Sequence, residues 1–317
     1  MSEKILVVGA SGMVGTSLTL KLREKFGSQN VIASDIREEN EALKGSGPYL
    51  TLDALASEKI KDIIRSEKIT SVYLLAGLMS AGAEKDPELA WNLNMGSLKI
   101  LLDLAVTDKF KIFWPSSIAV FGPTTPRENT PQHTVLEPTT IYGVTKYAGE
   151  LLCQYYHKRW GVDVRSLRYP GLISWKSEPG PGTTEYAVEI FYGALQNKKF
   201  TSPLGPDTYL PMMYMEDAIR GTLLLMDSSS EKVKNRMSYN FSAISFSPKE
   251  IAQEIKKHIP DLEVTYQPDF RQQIADSWPK SIDDSEARAD WGWKHEYDLK
   301  KMTGEMLENL KGKLQKK

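Results

Sequence analysis

Short apolar runs alternate with longer amphipathic segments from the N-terminus to about Pro170. The short runs have the length of buried strands, and the segments between them have the spacing of helices. Strands that alternate with helices in this way predict a parallel sheet covered on both faces. The simplest fold of this kind is α/β, with a doubly wound parallel sheet. The predicted strands are Lys4–Gly9, Asn30–Asp35, Thr70–Leu75, Phe110–Pro115 and Asp163–Tyr169.

The pattern loosens after Pro170 into a segment rich in Gly and Pro at residues 174–184, followed by shorter elements without steady alternation. We expect residues 1–170 to form a cofactor-binding domain and residues 171–317 to form a smaller C-terminal substrate lobe. The boundary is expected to be soft, with interleaved segments. Helices are predicted in the second half around residues 185–196, 215–226, 248–257 and 299–314.

Composition narrows the class of partner. The 317 residues carry a formal net charge of −1, and no basic block interleaved with aromatic residues is present. This balance argues against nucleic acid or an anionic membrane as the main partner and favours a small-molecule substrate. Cys153 is the single cysteine. We therefore expect its side chain to be a small buried hydrophobe and the protein to lie in a reducing compartment. Four scattered histidines predict no metal site.

The N-terminus leaves little room for a targeting segment, because the first predicted strand starts at Lys4. No apolar run approaches the length of a transmembrane helix. We therefore expect a cytoplasmic protein.

A glycine-rich run follows the first predicted strand where the chain turns into a helix, and it reads Gly9-Ala10-Ser11-Gly12-Met13-Val14-Gly15. Glycines there allow a tight turn and a close approach to a pyrophosphate, which the free N–H groups of the helix bind. Asp35 ends the next strand about twenty residues later, where a carboxylate can accept both ribose hydroxyls. This conjunction predicts a Rossmann dinucleotide site. The charge of Asp35 would repel a 2′-phosphate, so NAD is favoured over NADP.

Further cofactor contacts are predicted with alternatives left open. Arg37 could bind a phosphate, stack over adenine or lie in solvent. Asp53 could accept from the adenine amino group or be a solvated loop carboxylate. Small residues close the third predicted strand, as expected where backbone passes close to a cofactor, and they are Leu75, Ala76 and Gly77.

Tyr142 and Lys146 are four residues apart at the start of a predicted helix, so their side chains share one face. A phenol titrates near pH 10, and a tyrosine that accepts a proton at neutral pH needs a pKa lower by about three units. Such a shift requires the Lys146 ammonium and a second cation, which predicts a bound cofactor. The same spacing at Tyr297 and Lys301 lacks a Gly-rich or Ser-rich partner upstream, and we interpret that pair as the solvated face of a C-terminal helix.

These motifs together resemble the extended short-chain dehydrogenase/reductase superfamily. Ser117 lies in Ser-x-x-Val-Phe-Gly, at the separation from Tyr142 that the superfamily has, and Ser116 is interpreted as a backbone or cofactor contact. Within the superfamily, the chain is similar to the NAD-dependent L-threonine 3-dehydrogenases of the short-chain type. The segments that carry this similarity are Phe113–Gly122, Arg168–Ser174, Gly182–Ala187 and Tyr209–Tyr214.

The resemblance implies an activity, namely oxidation of the 3-hydroxyl of L-threonine by NAD to give 2-amino-3-oxobutanoate. Tyr142 would take the hydroxyl proton, Ser117 would hydrogen-bond the same oxygen, and Lys146 would lower the tyrosine pKa. It also implies a homodimer through the helices that begin near Pro87 and Tyr142. The resemblance adds Tyr142, Lys146 and Tyr169 to the cofactor contacts.

The substrate residues implied by the resemblance have alternative explanations. Ser80, Thr183 and Thr184 could donate to the threonine carboxylate, and Glu185 could accept its ammonium. The run from Thr183 to Glu185 could equally cap the following helix. Glu185 also stands where the family is expected to have the shorter Asp. Trp278 could close over the threonine methyl or anchor its loop to the core.

Two other functions compete with threonine oxidation. Sugar-nucleotide epimerases share the glycine-rich turn and the Ser, Tyr and Lys set, but they usually have Arg-Tyr-Phe-Asn where this chain has Arg168-Tyr169-Pro170-Gly171. A non-catalytic NAD sensor is the other alternative. The presence of Ser117, Tyr142 and Lys146 favours an enzyme.

Overall fold

The computed structural model describes residues 3–180 and 182–315, so residue 181 of the predicted Gly- and Pro-rich segment lies outside the described residues. The chain forms two compact units, each assembled from separate segments. The first unit contains Met1–Val120, Pro138–Arg168 and Thr222–Tyr239, and the second contains Phe121–Glu137, Tyr169–Gly221 and Asn240–Lys317.

The strands are short, as the apolar runs predict. In chain order they are β1 (Ile5–Val8), β2 (Val31–Asp35), β3 (Tyr49–Thr51), β4 (Ser71–Leu74), β5 (Lys111–Ser117), β6 (Val164–Tyr169), β7 (Gly171–Ile173), β8 (Lys199–Ser202), β9 (Leu210–Tyr214), β10 (Tyr239–Asn240), β11 (Ile244–Phe246) and β12 (Glu263–Tyr266).

The helices lie between these strands. They are α1 (Met13–Phe26), α2 (Ser57–Ser66), α3 (Ser80–Lys85), α4 (Pro87–Asp108), α5 (Ile141–Trp160), α6 (Tyr186–Gln196), α7 (Met215–Asp227), α8 (Pro248–Lys256), α9 (Phe270–Asp276), α10 (Ser285–Trp291) and α11 (Leu299–Leu314), with short 3-10 turns at Ser28–Asn30 and Ile118–Val120.

The first unit is built on a seven-stranded sheet with the order β10-β6-β5-β4-β1-β2-β3. β1 pairs in parallel with β2 and β4, β2 with β3, and β4 with β5. Val8 lies opposite both Ser34 and Leu74, so these three strands end at the same level. The residues that follow, including Gly9 and Asp35, therefore meet at one edge of the sheet. The predicted doubly wound α/β fold is confirmed.

One large part of the core of the first unit lies between this sheet and the helices α2, α4 and α5. Burial of such apolar side chains contributes roughly 1.5–3 kcal/mol each. Cys153 is fully buried in this cluster, as predicted for a small hydrophobe. Other members of the cluster include Leu6, Val8, Val72, Leu74, Leu98, Leu101, Leu102, Ile112, Trp114 and Tyr156.

The second unit contains two small sheets, with the orders β11-β9-β7 and β12-β8. β9 pairs with β7 in parallel and with β11 antiparallel, and its five residues are all buried. The four helices predicted in this half of the chain correspond to α6, α7, α8 and α11, with ends shifted by at most one residue.

One prediction about the C-terminal helix is wrong. α11 begins at Leu299, so Tyr297 precedes the helix instead of lying on its solvated face. The Tyr297 hydroxyl donates to Glu305 at 2.9 Å, and its ring packs against Tyr214 with centroids 4.7 Å apart. The Lys301 ammonium lies 3.8 Å from the Tyr297 ring centroid, so this Tyr-x-x-x-Lys pair is a packing contact.

Candidate active site

The glycine-rich turn brings β1 close to the loop after β4. The N–H groups of Gly9 and Ala10 both donate to Ser34 O, at 2.8 and 2.9 Å. Gly9 has a φ of +94°, and a Cβ there would lie 2.3 Å from Ala76 N. A Cβ on Gly15 would lie 2.1 Å from Gly9 O. The packing of the protein itself therefore requires glycine at both positions.

Gly12 differs from these two glycines, because a Cβ there would meet nothing closer than Gly9 O at 3.6 Å. Its φ of −79° is open to any residue. Gly12 precedes α1, which has no side-chain cap at its N-terminus and no acidic residue in its first turn. The space beside Gly12 and the N–H groups of Met13 and Val14 suit the pyrophosphate of a dinucleotide.

Asp35 is held as an anion beside this turn, and its carboxylate is 5% exposed. Oδ2 accepts from Ser11 N at 3.0 Å and from Arg37 Nη2 at 3.2 Å, while Oδ1 accepts from the N and Nε of Arg37 at 3.1 Å. Burial opposes ionisation, but the bonds from Arg37 and Ser11 outweigh it and hold the pKa of Asp35 below its usual value. An ionised acceptor here suits ribose hydroxyls.

Arg37 combines a partner that the sequence reasoning did not name with the solvent exposure that was one of its alternatives. Its guanidinium forms an ion pair with Asp35, while its side chain remains 63% exposed. The Ser11 hydroxyl is bonded to Tyr49 at 2.8 Å, and the Tyr49 hydroxyl donates to Arg37 O at 2.8 Å. Ser11 therefore contributes its N–H to Asp35 and its hydroxyl to the loop that carries Arg37.

The other predicted cofactor residues lie in two places. Leu75 N and Ala76 N both donate to Val8 O, so the backbone leading to Gly77 lies against the glycine-rich turn. Asp53 is exposed, and its Oδ1 accepts from Leu55 N at 2.9 Å in a local turn. Tyr169 is the first residue of a segment of the second unit, where its ring packs against Phe241 at 5.8 Å.

Ser117 and Tyr142 act on one another at the start of α5. Ser117 is the last residue of β5, and its Oγ accepts from Ala119 N at 3.2 Å. Tyr142 lies in the first turn of α5, which Thr140 caps by accepting from Gly143 N at 3.1 Å. Burial raises the pKa of Tyr142 to about 12, and the side chain of Ser117 opposes the rise.

Lys146 is 8% exposed and faces the strand that carries Ser117. Its ammonium donates to Pro115 O at 2.7 Å and lies 4.6 Å from the Trp114 ring centroid and 5.5 Å from that of Tyr142. Burial lowers the pKa of Lys146 to about 8, which leaves the side chain protonated at neutral pH. Without a bound cofactor, the pKa of Tyr142 is thus raised. That Lys146 lowers this pKa stays a prediction.

Two buried polar groups near these residues were missed by the sequence reasoning. Asn94 on α4 accepts from Leu78 N at 2.8 Å and donates to Thr145 at 3.2 Å, so it ties the loop after β4 to the helix of Lys146. The Ser116 hydroxyl donates to Glu150 at 2.6 Å, which corrects its interpretation as a backbone or cofactor contact. The signal in the sequence for Asn94 was a polar residue on an otherwise apolar helix face.

The predicted substrate residues are divided between the units. Ser80 begins α3 of the first unit, whereas Thr183, Thr184, Glu185 and Trp278 belong to the second. Glu185 precedes α6 without a side-chain capping bond, so the capping alternative does not hold for its carboxylate.

Glu185 is half-buried, and Trp278 is largely shielded from solvent. Glu185 Oε2 accepts from Gly180 N at 3.1 Å, and burial raises the pKa of this half-buried carboxyl. No cation pairs with Glu185 within residues 3–180 and 182–315. Trp278 is 9% exposed.

The described residues offer neither a metal-binding cluster nor a membrane-spanning helix. No group of three or more His, Cys, Asp or Glu side chains in residues 3–180 and 182–315 could hold a metal ion. Within the same residues, no helix combines the length and the apolar character needed to cross a membrane.

Comparisons with known proteins place the chain among relatives that it matches from end to end. A model described as the NAD dependent epimerase/dehydratase family matches residues 5–241. An uncharacterized epimerase/dehydratase from Staphylococcus haemolyticus is 49% identical over 317 residues, or 99% of this chain and 100% of that protein.

Similar solved structures include L-threonine dehydrogenases. The holo form of a GalE-like L-threonine dehydrogenase from Cupriavidus necator is 51% identical with a TM-score of 0.94, covering 97% of this chain and 99% of that one. The L-threonine dehydrogenase of Clostridium difficile is 47% identical with a TM-score of 0.96, covering 98% of each chain.

Two further structures bear on the alternatives. A UDP-glucose 4-epimerase from Thermotoga maritima has a TM-score of 0.83 at 20% identity, covering 98% of this chain and 99% of that one, and shares the fold alone. A monomeric L-threonine 3-dehydrogenase from a metagenome is 47% identical with a TM-score of 0.92, covering 97% and 99% of the two chains.

Replacing Gly12 by Ala is expected to weaken NAD binding about tenfold or more, because the new methyl group meets a ligand and not the protein. The melting temperature without NAD should stay within about 2 °C of the unaltered protein. Fluorescence titration and thermal unfolding would measure both. Gly304→Ala is the matched control, since a Cβ there meets nothing within 4 Å. Unchanged NAD affinity in Gly12→Ala would contradict the assignment.

Lys146→Met is expected to stabilise the protein at pH 7 in the absence of NAD. The pKa falls from an ordinary 10.5 to about 8 in the folded protein, so the unfolded chain binds this proton more tightly. The resulting penalty, about 3 kcal/mol, is fully present below pH 8 and fades as the pH rises towards the unfolded value. Loss of the bond to Pro115 O costs about 1 kcal/mol, which leaves a net gain of about 2 kcal/mol.

Urea unfolding at pH 7 and pH 9.5 would measure this difference. Its control is Lys158→Met, an exposed lysine of the same helix, for which we expect a change within about 0.5 kcal/mol. A Lys146→Met variant less stable than the unaltered protein at pH 7 would show that burial does not penalise the ammonium.

Proposed function

The chain belongs to the NAD-dependent epimerase/dehydratase family, and we propose that within it this protein oxidises the 3-hydroxyl of L-threonine to give 2-amino-3-oxobutanoate. Family membership confirms the prediction of an enzyme that uses NAD. The observation that carries the proposed substrate is similarity to L-threonine dehydrogenases over 97–98% of the chain, at 47–51% identity. This similarity extends through the C-terminal half, beyond the residues of the family match.

The proposed chemistry is centred on Ser117 and Tyr142, whose side chains act on one another. Ser117 hydrogen-bonds the 3-hydroxyl oxygen and Tyr142 accepts its proton, while bound NAD supplies a hydride acceptor and a positive charge. Tyr142 has a pKa of about 12 among the groups of the chain, so it must be made more acidic before it can act as a base. Lys146, still protonated at neutral pH and 5.5 Å from the Tyr142 ring, supports this role.

The proposed substrate contacts follow from the charges of threonine. Its carboxylate needs donors, which we assign to Ser80, Thr183 and Thr184, and its ammonium needs an anion, which we assign to Glu185. The absence of a paired cation at this half-buried carboxylate, among the described residues, supports the assignment. A charge-assisted contact of this kind contributes about 1.5–3 kcal/mol. Trp278 is assigned to the threonine methyl.

Epimerisation of a sugar nucleotide is less well supported. The epimerase structure similar to this chain is only 20% identical, and Pro170 and Gly171 stand where epimerases usually have Phe and Asn. A sensing role is less well supported for a different reason. A sensor has no need of Ser117, Tyr142 and Lys146 together.

We also propose a homodimer formed through α4 and α5. Large apolar side chains on these two helices are exposed, although both helices contribute buried residues to the core on their other faces. An exposed apolar patch of this kind is typical of a protein interface. The exposed side chains are Leu89, Trp91, Val144, Leu151, Tyr155 and Trp160.

Tyr142→Phe is expected to lower kcat with L-threonine roughly 100-fold to 10,000-fold, because the proton acceptor is lost. NADH absorbance would be followed with L-threonine, D-threonine, L-allo-threonine, L-serine and several sugar nucleotides. The control is Tyr297→Phe, which removes the hydroxyl of the second Tyr-x-x-x-Lys pair and should retain activity. NADH formation from L-threonine by Tyr142→Phe at the normal rate would reject the mechanism, and epimerisation of a sugar nucleotide without net NADH would reject the substrate.

Leu151→Lys is expected to convert the dimer to a monomer, because a charge would be placed in the apolar interface of α5. Light scattering at several protein concentrations would measure the mass. The control is Leu50→Lys on β3, an exposed leucine outside the proposed interface, which should leave the dimer intact. A monomeric unaltered protein, as described for one relative, would reject the homodimer.

A further inference from the structure

The end of β5 is attached to α5 by two successive residues, and the next residue, Ser117, acts on Tyr142 of the same helix. The bonds join Pro115 O with Lys146 Nζ at 2.7 Å and Ser116 Oγ with Glu150 Oε1 at 2.6 Å. Tyr142, Lys146 and Glu150 are four positions apart, so they lie on one helix face.

Glu150 is the member of this set for which the proposed reaction gives no role. Its side chain is fully buried, and both oxygens accept from Arg168, with Oε1 to Nε at 2.9 Å and Oε2 to Nη2 at 2.8 Å. The arginine is buried too, at 3% side-chain exposure. A buried ion pair is often no more stabilising than apolar side chains of the same volume, so stability alone does not account for it.

The charge of Glu150 has an evident recipient in Lys146, one turn earlier on the same face. Burial disfavours the ammonium of Lys146, while Cys153 and Glu150 oppose that effect. Burial also raises the pKa of the Cys153 thiol, which is therefore neutral at neutral pH. Glu150 is therefore the charged group that stabilises the ammonium of Lys146. Arg168 of β6 limits this effect, because it is the cation with which Glu150 pairs. From β5, Lys146 meets the uncharged Trp114 ring and Pro115 carbonyl.

We propose that Glu150 is a positioning residue for the reaction: held by Arg168, it fixes through Ser116 the strand end that carries Ser117, and it supplies the anion beside Lys146. This inference rests on the proposed function, because the reaction it serves is the one assigned to Ser117, Tyr142 and Lys146. Glu150 itself touches none of the reacting atoms in this scheme. It acts through the placement of Ser117 and through the charge of Lys146.

The first experiment removes the tie between strand and helix and leaves both charges in place. Ser116→Ala should lower kcat with L-threonine about tenfold or more while the KM for NAD changes less than about twofold, because a misplaced Ser117 affects the reacting geometry. The control is Ser166→Ala, which loses a buried bond to Ser238 of 3.0 Å in the same unit. It should lose similar stability and keep kcat. Equal kcat in Ser116→Ala and the unaltered protein would overturn the positioning role.

The second experiment reads the charge of Lys146 without substrate or NAD. Trace acetylation with acetic anhydride at a series of pH values, followed by mass spectrometry of the peptide that contains Lys146, gives the titration midpoint of that amine. In Glu150→Gln the midpoint should fall by at least about one pH unit, because the anion is lost and Arg168 is left unpaired. Asp163→Asn is the control, since Asp163 is paired with Arg165 and Arg236 elsewhere in the unit. An unmoved midpoint in folded Glu150→Gln would overturn the electrostatic role.

The two experiments remain decisive if one variant does not fold. Should Glu150→Gln not fold, Ser116→Ala still tests the positioning of Ser117 with both charges retained. Failure of the proposed substrate would appear as no NADH from L-threonine in the unaltered protein, whereas the acetylation midpoint of Lys146 would still respond to Glu150→Gln.

Discussion

The attachment of α5 to the end of β5 is the constraint on which the proposed catalytic geometry depends. Strand and helix meet closely because two glycines of α5 leave no Cβ in the way: a Cβ on Gly143 would lie 2.1 Å from Ala119 O, and one on Gly149 would lie 2.3 Å from the Trp114 ring. This close approach lets the Lys146 ammonium reach Pro115 O and brings Tyr142 to Ser117. A larger side chain at either glycine would separate the groups that the reaction needs together.

The proposed dinucleotide site, at the glycine-rich turn and Asp35, also depends on a close approach of the backbone at the edge of the sheet. Strands that end at one level bring the glycine-rich turn beside Ala76 and Asp35. Two of the glycines are required by the packing of the chain, whereas Gly12 leaves space that only a ligand would use. In the proposed site, packing provides room for the pyrophosphate, and the carboxylate of Asp35 is the acceptor that we assign to the ribose hydroxyls.

The sequence was sufficient for the doubly wound α/β fold and for β1, β2, β4, β5 and β6, because hydrophobic periodicity is a local property. It was insufficient where a side chain chooses between partners that are distant in the chain. Ser116 binds Glu150, 34 positions later. Asn94 on α4 bonds Thr145 on α5, 51 positions later, and the polar character of Asn94 does not by itself specify that partner.

Tyr142 and Lys146 are both buried, and burial makes the charged form of each side chain less favourable. Desolvation raises the pKa of the phenol and lowers that of the ammonium, so the folded chain disfavours both the phenolate and the protonated amine. The same low-dielectric surroundings strengthen any attraction between these two charges once one of them forms. An additional positive charge beside Tyr142 would therefore have a larger effect than in water. In the proposed mechanism, the reactive form of the tyrosine is thus confined to the complex in which the hydride acceptor is already bound.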